Sequence, residues 1–270
     1  MTRTSRDLTP EEGRNAFGDD AANYDAARPP YPEWVFERLA GCGLDRTAHV
    51  FEVGPGTGQA TARLLARGAD PLIAIEPDAR LASYLIEKLK TPALTVLRAT
   101  FEDAALEDGA YDLGAAATSF HWLHQRAALA KVARVLRPGG WWAMWWNVFG
   151  DPDRHDPFHE ATRELLADNP SSPSHQPGRA HPFALDRERR LGDLRADGSF
   201  EQIDVEIGRW SIVLDPAQVR ALYATYSQFS VLDPDERTRI LDELARIADH
   251  EFAGRVERNM CTALYTARKR

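Results

Sequence analysis

The sequence predicts an α/β fold in which a largely parallel sheet carries helices on both faces. Apolar runs suited to buried strands recur at 49–53, 72–76, 94–98, 111–117 and 141–148, with helical patterns near 59–67, 78–90 and 123–136 between most of them. That alternation marks parallel strands joined by helical crossovers. The second observation is local. The run Val50-Phe51-Glu52-Val53 stops in a turn dense in glycine, Gly54-Pro55-Gly56-Thr57-Gly58, directly before a helix, and the next run, Leu72-Ile73-Ala74-Ile75, ends in Glu76. A strand, a glycine turn, a helix and a second strand closed by an acid make a Rossmann-like, nucleoside-binding β-α-β unit.

Each element has its own justification. Residues 10–27 are polar with scattered apolar positions and suit a short helix over the core. Arg28-Pro29-Pro30-Tyr31-Pro32 cannot be regular helix, because its prolines remove donors and restrict their predecessors. Helix resumes at Glu33 and stops at Gly41. After Asn147 the pattern breaks: residues 150–199 are rich in proline, histidine and charge, with one helix near 157–168 followed by a long loop. Phe200 to Ile207 alternates as an edge-type strand. Asp215-Pro216 and Asp233-Pro234 each open a helix, an acid preceding a first-turn proline. Met260 to Ala267 alternates again as a last strand. Trp141, Trp142, Trp145 and Trp146 should cover both faces of one buried strand.

The glycine spacing separates two kinds of cofactor. A dinucleotide site requires G-x-G-x-x-G, with the third glycine or an alanine for close helix packing. Here that position is Gln59, and the third glycine comes one residue early at Gly58. An NAD(P)-dependent oxidoreductase is therefore disfavoured.

Four ordered motifs carry a family resemblance. Glu52-Val53-Gly54-Pro55-Gly56-Thr57-Gly58 resembles motif I of the class I S-adenosylmethionine-dependent methyltransferases, and Ile75-Glu76-Pro77-Asp78 resembles the segment that follows it. Phe120-His121-Trp122-Leu123 and Val135-Leu136-Arg137-Pro138-Gly139-Gly140 resemble later motifs of the small-molecule branch that includes trans-aconitate methyltransferase. The opening from Tyr24-Asp25 to Pro32 is similar to that branch too. The resemblance implies a seven-stranded methyltransferase sheet with an antiparallel last strand, and a methyltransferase domain at 1–149 and 200–270 with 10–32 as a lid segment. Residues 150–199 and 215–258 are read as substrate-cap insertions that form an inserted helical cap, because long insertions in α/β enzymes usually line the site.

It also implies a site at the carboxyl ends of the strands. The cofactor would be S-adenosyl-L-methionine, with Glu52 inside motif I and Gly54, Gly56 and Gly58 passing beneath its methionine and ribose portions. Glu76, followed by Pro77, would accept hydrogen bonds from the ribose hydroxyls. Phe101 and Glu102 would flank the adenine. Tyr24, Arg28 and Tyr31 would close over the amino-acid end, where Arg28 suits a carboxylate. Ser119 to Trp122 falls where sulfonium and acceptor should meet. His121 is there either as general base or as a residue that caps and orients the loop. Trp122, Trp146 and Asn147 are expected to face the substrate.

Composition narrows the rest. A formal charge of -8 argues against nucleic acid as a partner, because phosphate binding needs clustered lysine and arginine. Cys42 and Cys261 are the only cysteines, the N-terminus lacks a signal-peptide core and no apolar stretch spans a membrane, so a cytoplasmic location is expected. His155 and His159 share a helix face near Asp151, Asp153 and Asp156, but no further ligand has suitable spacing and no metal is expected. Methyl transfer to a small soluble molecule, at oxygen (carboxylate or hydroxyl) or at nitrogen, is the expected activity. A non-catalytic sensor of the cofactor or its demethylated product would keep the same glycine turn.

Overall fold

A computed structural model describes residues 20–167, 181–196 and 198–270. The expected helical start at 10–19 and most of the loop at 169–178 and beyond, to 180, lie outside them. Seven strands form one sheet: β1 (Val50–Val53), β2 (Leu72–Ile75), β3 (Leu94–Leu97), β4 (Tyr111–Ala117), β5 (Leu136–Phe149), β6 (Phe200–Leu214) and β7 (Val256–Lys269). Their order is β3-β2-β1-β4-β5-β7-β6. The first five run parallel, whereas β7 lies antiparallel between β5 and β6.

Helices α1 (Ala21–Ala27) and α2 (Glu33–Ala40) precede the sheet, and α3 (Gln59–Ala66), α4 (Ala79–Leu89) and α5 (Gln125–Val135) make the crossovers. Beyond β5 come α6 (Pro157–Leu166) and α7 (Arg187–Arg195), then α8 (Pro216–Ala224), the single turn α9 (Ser227–Ser230) and α10 (Pro234–His250) between β6 and β7. Asp215 and Asp233 accept backbone N–H bonds at the starts of α8 and α10, where a proline costs no helical bond. No helix among the described residues is long and apolar enough to cross a membrane.

Two apolar layers pack on the sheet, and β5 supplies both. Trp142, Met144 and Trp146 enter one layer; Ala143 and Trp145 enter the other. This is the strand alternation that the tryptophan spacing predicts. In the first layer Phe51, Gly114 and Trp142 are cross-strand neighbours. With no Cβ on Gly114, the Phe51 and Trp142 rings stack over it with centroids 6.0 Å apart. A third cluster, which includes Phe158, Val219, Leu222, Tyr223, Phe229 and Leu244, holds α6, α8, α9 and α10 together beside the sheet.

Some boundaries differ from expectation. β5 begins at Leu136 rather than 141, with a register shift opposite Tyr111 to Leu113. β6 continues from 207 to Leu214, paired with β7 throughout that stretch. Gly208 hides this continuation from a propensity argument, since glycine is a poor strand former; the Trp34 indole lies where its Cβ would stand, 2.8 Å from Nε1. Helix α7 and the turn α9 occupy segments with weak helical periodicity. In α7 the buried face is only Arg190 and Leu194.

Gly114→Ala places a methyl group 2.3 Å from Phe51 Cζ and 2.8 Å from Trp142 Cε3. Overpacking of this kind costs about 1–3 kcal/mol. The variant should unfold at lower temperature by circular dichroism; an unchanged midpoint would show that the two rings can separate freely.

Candidate active site

The carboxyl ends of β1, β2, β4 and β5 open into a cavity of about 540 Å³. Residues from five strand-end segments line it, including Gly54 and Gly56, Glu76 and Pro77, Phe101, Ser119 with His121 and Trp122, and Trp146 with Asn147. Tyr24, Arg28 and Tyr31 cover it from the N-terminal segment, and Tyr223, Tyr226 and Arg258 wall it from the cap side. The long crossovers place these residues together because successive parallel strands all end on the same edge of the sheet.

The turn after β1 is built for close approach. Gly56 has φ of 59° and open space where a Cβ would point. Gly54, at φ 63°, packs its bare Cα against Ser119, whose Cβ would be 2.6 Å from an added methyl group. Ser119 Oγ donates to the Val53 carbonyl, which fastens the β4 turn to the end of β1. Gly58 lines no cavity. It starts α3 against Leu85, so two of the three motif glycines face the cavity and the third packs the helix.

Glu76 is buried at the end of β2. Its Oε2 accepts from the Gly56 N–H at 3.0 Å and its Oε1 from the Asp78 N–H at 3.0 Å. Burial raises its pKa to about 7, against those two bonds. Glu52 lies behind the turn and off the cavity wall. Thr61 Oγ1 donates to its Oε2 at 2.7 Å, Oε1 has no protein partner, and burial raises this carboxyl to about 7 as well. Thr57 Oγ1 and Arg28 Nε are also buried without a partner. Unsatisfied polar atoms at this density call for a ligand. An open Gly56 cradle, a ribose-height carboxylate and an arginine at the far end suit a nucleoside that bears an amino acid.

The N-terminal segment is held over this turn by side chains that the sequence did not single out for the purpose. Gln59 Nε2 donates to the carbonyls of Asp25 at 2.9 Å and Arg28 at 3.1 Å. Lys88 Nζ bonds the Asp25 carboxylate at 2.6 Å and the Thr57 carbonyl at 3.1 Å. Asn147 Nδ2 donates to the carbonyls of Pro29 and Pro30, and its Oδ1 accepts from Thr262. Asn147 thus anchors the proline segment with the polar atoms that a substrate would have used. Tyr31 bonds Thr118 between their hydroxyls at 2.9 Å. The Arg28 guanidinium lies 5.0 Å from the Tyr24 ring centroid, 4.9 Å from that of Tyr226 and 5.7 Å from that of Phe149. Its Nη2 donates to the Thr225 carbonyl at 3.0 Å.

Phe101 and Glu102 separate. Phe101 is on the cavity wall, stacked 6.1 Å from Phe51. The Glu102 side chain is exposed and off the cavity, and only its backbone carbonyl is engaged, by Lys131. His121 sits on a short 3₁₀ turn, Phe120–Trp122, and its Nδ1 accepts from Trp146 Nε1 at 3.0 Å. The Trp122 and Phe183 rings lie 4.7 and 5.9 Å from it. The acids near residue 155 and His155 are otherwise employed: Asp151 and Asp153 pair with Arg209, Asp156 with Arg258, and His155 faces Glu160, whereas His159 lines the cavity.

Thr118, Phe149, Tyr226 and Arg258 were not visible as site residues. Thr118 holds a left-handed backbone, φ 53°, unusual for a β-branched residue and concentrated at functional turns. Arg258 lies in β7 two residues ahead of the alternating run at 260–267, and its Nη1 donates to Tyr223 Oη at 2.6 Å. Nothing in its sequence setting distinguishes it from a surface arginine.

Comparison with known proteins places this geometry. A family profile described as a methyltransferase domain matches residues 51–144. The chain is 34% identical over 148 residues to an uncharacterised methyltransferase of Mycobacterium tuberculosis; the match covers 55% of the chain and 56% of that relative, little more than half its length. A malonyl-[acyl-carrier protein] O-methyltransferase of Geobacter sulfurreducens is 31% identical over 198 residues, 71% of each chain. A solved structure from Anaeromyxobacter dehalogenans, assigned provisionally to the type II methyltransferases, superposes with a TM-score of 0.62 at 22% identity, covering 89% of this chain and 97% of that one. With the glycine turn, the strand-end acid and the antiparallel β7 all in place, the chain belongs to the class I S-adenosylmethionine-dependent methyltransferases.

Proposed function

We propose that the protein transfers a methyl group from S-adenosylmethionine to an oxygen atom of a small soluble molecule held between the sheet and the cap. When bound, the cofactor supplies a methyl group on a positively charged sulfur. The observation that carries this reading is the continuity of the cavity: one space runs from the Gly56 turn to Trp146, Phe149 and Tyr226. Its size is in the range of small-molecule sites.

The chain's own residues would act by placement. Glu76 would accept from the ribose hydroxyls, and Arg28, with its free Nε, would take the cofactor's carboxylate. The segment at 20–32 and the cap helices α6, α8 and α9 would keep water from the reacting atoms, so that alignment and desolvation supply the rate. The aromatic walls favour a compact organic acceptor over a macromolecule, and the net charge of -8 supports the same choice. An acceptor at oxygen is further supported by the Geobacter relative, whose name specifies O-methylation. A cytoplasmic setting fits the two buried free thiols.

A screen with labelled methyl donor over organic acids, phenols and amines tests the reading. Transfer to an acid or phenol is expected. Tight cofactor binding with no transfer to any class would favour a sensor instead.

Glu76 gives a pH-dependent test. A carboxyl whose folded pKa lies above its unfolded value favours folding most at low pH, and that contribution is lost as pH rises through about 7. A ligand that bonds the ionised form reverses the preference. Affinity for S-adenosylhomocysteine should therefore increase several-fold between about pH 6 and 8. Glu76→Gln should weaken binding more than roughly tenfold and leave only the pH dependence due to Glu52. Calorimetry measures both, and equal affinity of variant and wild type would remove Glu76 from the site.

A further inference from the structure

We propose that His121 is a neutral hydrogen-bond donor to an acceptor that arrives already ionised, a carboxylate, and that it takes no proton in the reaction. The inference rests on the methyl-transfer reading and deepens it by naming the acceptor's charge state.

The argument begins with Trp146. An indole nitrogen donates and never accepts. Its N–H is directed at His121 Nδ1 at 3.0 Å, so the imidazole lone pair lies on Nδ1. A neutral imidazole has one N–H, which is therefore on Nε2. Among the described residues no group bonds Nε2 and it is not one of the buried unpartnered atoms, so it opens to the cavity that His121 lines. The Trp146 ring cannot readily turn away. It is 3% exposed, with its centroid 5.4 Å from that of Phe183 and 6.3 Å from that of Tyr265.

A general base needs a free lone pair aimed at the proton it removes. His121 presents a proton there instead. Protonation at Nδ1 would set two N–H groups against each other. The rings around the imidazole, Trp122, Trp146 and Phe183, offer no charge to stabilise a cation. Burial, with the Arg28 charge as the second and smaller cause, pushes its pKa down to about 3. By linkage His121 favours folding above the unfolded value near 6.5, and that contribution is lost as pH falls toward 3.

The lining favours an anion. Among the described residues that form it, Glu76 is the one acid; Arg258 is paired with Asp156, whereas Arg28 has no acidic partner. A carboxylate would bring its own lone pair. The new bond forms from that oxygen to the methyl carbon, the carbon–sulfur bond breaks with its electrons passing to sulfur, and no proton is transferred. The His121 Nε2–H would hold the second carboxylate oxygen and orient the first.

The test reads the tautomer directly. Long-range proton–nitrogen correlation spectra of protein labelled with ¹⁵N in histidine, recorded with and without S-adenosylhomocysteine, would be assigned by difference against His121→Gln. A proton on Nε2, with no titration between about pH 5 and 9, is the expected result; a proton on Nδ1, or a pKa between about 6 and 8, overturns the inference. In the labelled-donor assay with carboxylic acids, His121→Ala should lose about a hundredfold in turnover, the scale of one lost donor. His121→Gln, which keeps an amide N–H near the Nε2 position, should recover most of it with a flat pH profile. Equal loss in both variants would point to a base. Cofactor calorimetry on the same samples separates the readings: failure to bind S-adenosylhomocysteine sinks methyl transfer, whereas the tautomer judges His121 alone.

Discussion

The bond between the Glu76 carboxylate and the Gly56 N–H is the constraint on which the site depends. It fixes the end of β2 to the turn that leaves β1 and so sets the shape of the nucleoside floor. It requires an ionisable group to be kept out of water, and Glu52 repeats that arrangement one layer down. Two buried carboxyls near one turn disfavour their own charged forms. They persist because each has at least one donor, Thr61 for Glu52 and two backbone amides for Glu76. What remains unsatisfied on residues of the cavity wall, Thr57 Oγ1 and Arg28 Nε, is the part a ligand can complete.

From that turn the order spreads outward through Gln59. Its position in the spacing disfavours a dinucleotide because a large side chain replaces the helix-packing glycine. In the fold that side chain reaches back and holds the carbonyls of Asp25 and Arg28. The same segment contacts the cap through Asn23 to the Ala221 carbonyl and Arg28 to the Thr225 carbonyl. Residues 20–32 therefore link the glycine turn to α8, and the turn, the N-terminal segment and the cap form one mechanically connected wall.

The sheet was legible because its signals are local and periodic: alternation of strand and helix, glycine where a turn needs positive φ, and tryptophans on alternate faces of β5. The strand ends were legible for the same reason, since topology alone brings Gly56, Glu76, Phe101, His121 and Trp146 to one edge. The cap side was not. Arg258 and Tyr226 reach the cavity through tertiary packing of α8, α9 and β7 that no short-range pattern encodes. Glu102 shows the converse: one residue beyond Phe101 the chain turns, and the carboxyl that spacing would put at the adenine faces solvent. Ser119 and Asn147 line the cavity, yet their polar groups are engaged within the protein, Ser119 by the Val53 carbonyl and Asn147 by the Pro29 and Pro30 carbonyls and the Thr262 hydroxyl, partners set by tertiary packing.

Net charge is a poor guide to the charge a site presents. The chain is acidic overall, yet its acids near the cavity are spent on neighbours. Asp156 neutralises Arg258, Asp25 pairs with Lys88, and Asp151 and Asp153 share Arg209. Arg28 has no acidic partner among the described residues; aromatic rings surround it and leave its charge to act across the cavity. Close to a low-dielectric wall such a charge is screened little. It adds to the burial that keeps the His121 ring neutral and would attract an anion to the same space. The histidine that by residue type suggests a base is thus turned into a donor by burial first, with the Trp146 N–H fixing its lone pair and the Arg28 charge disfavouring a second proton.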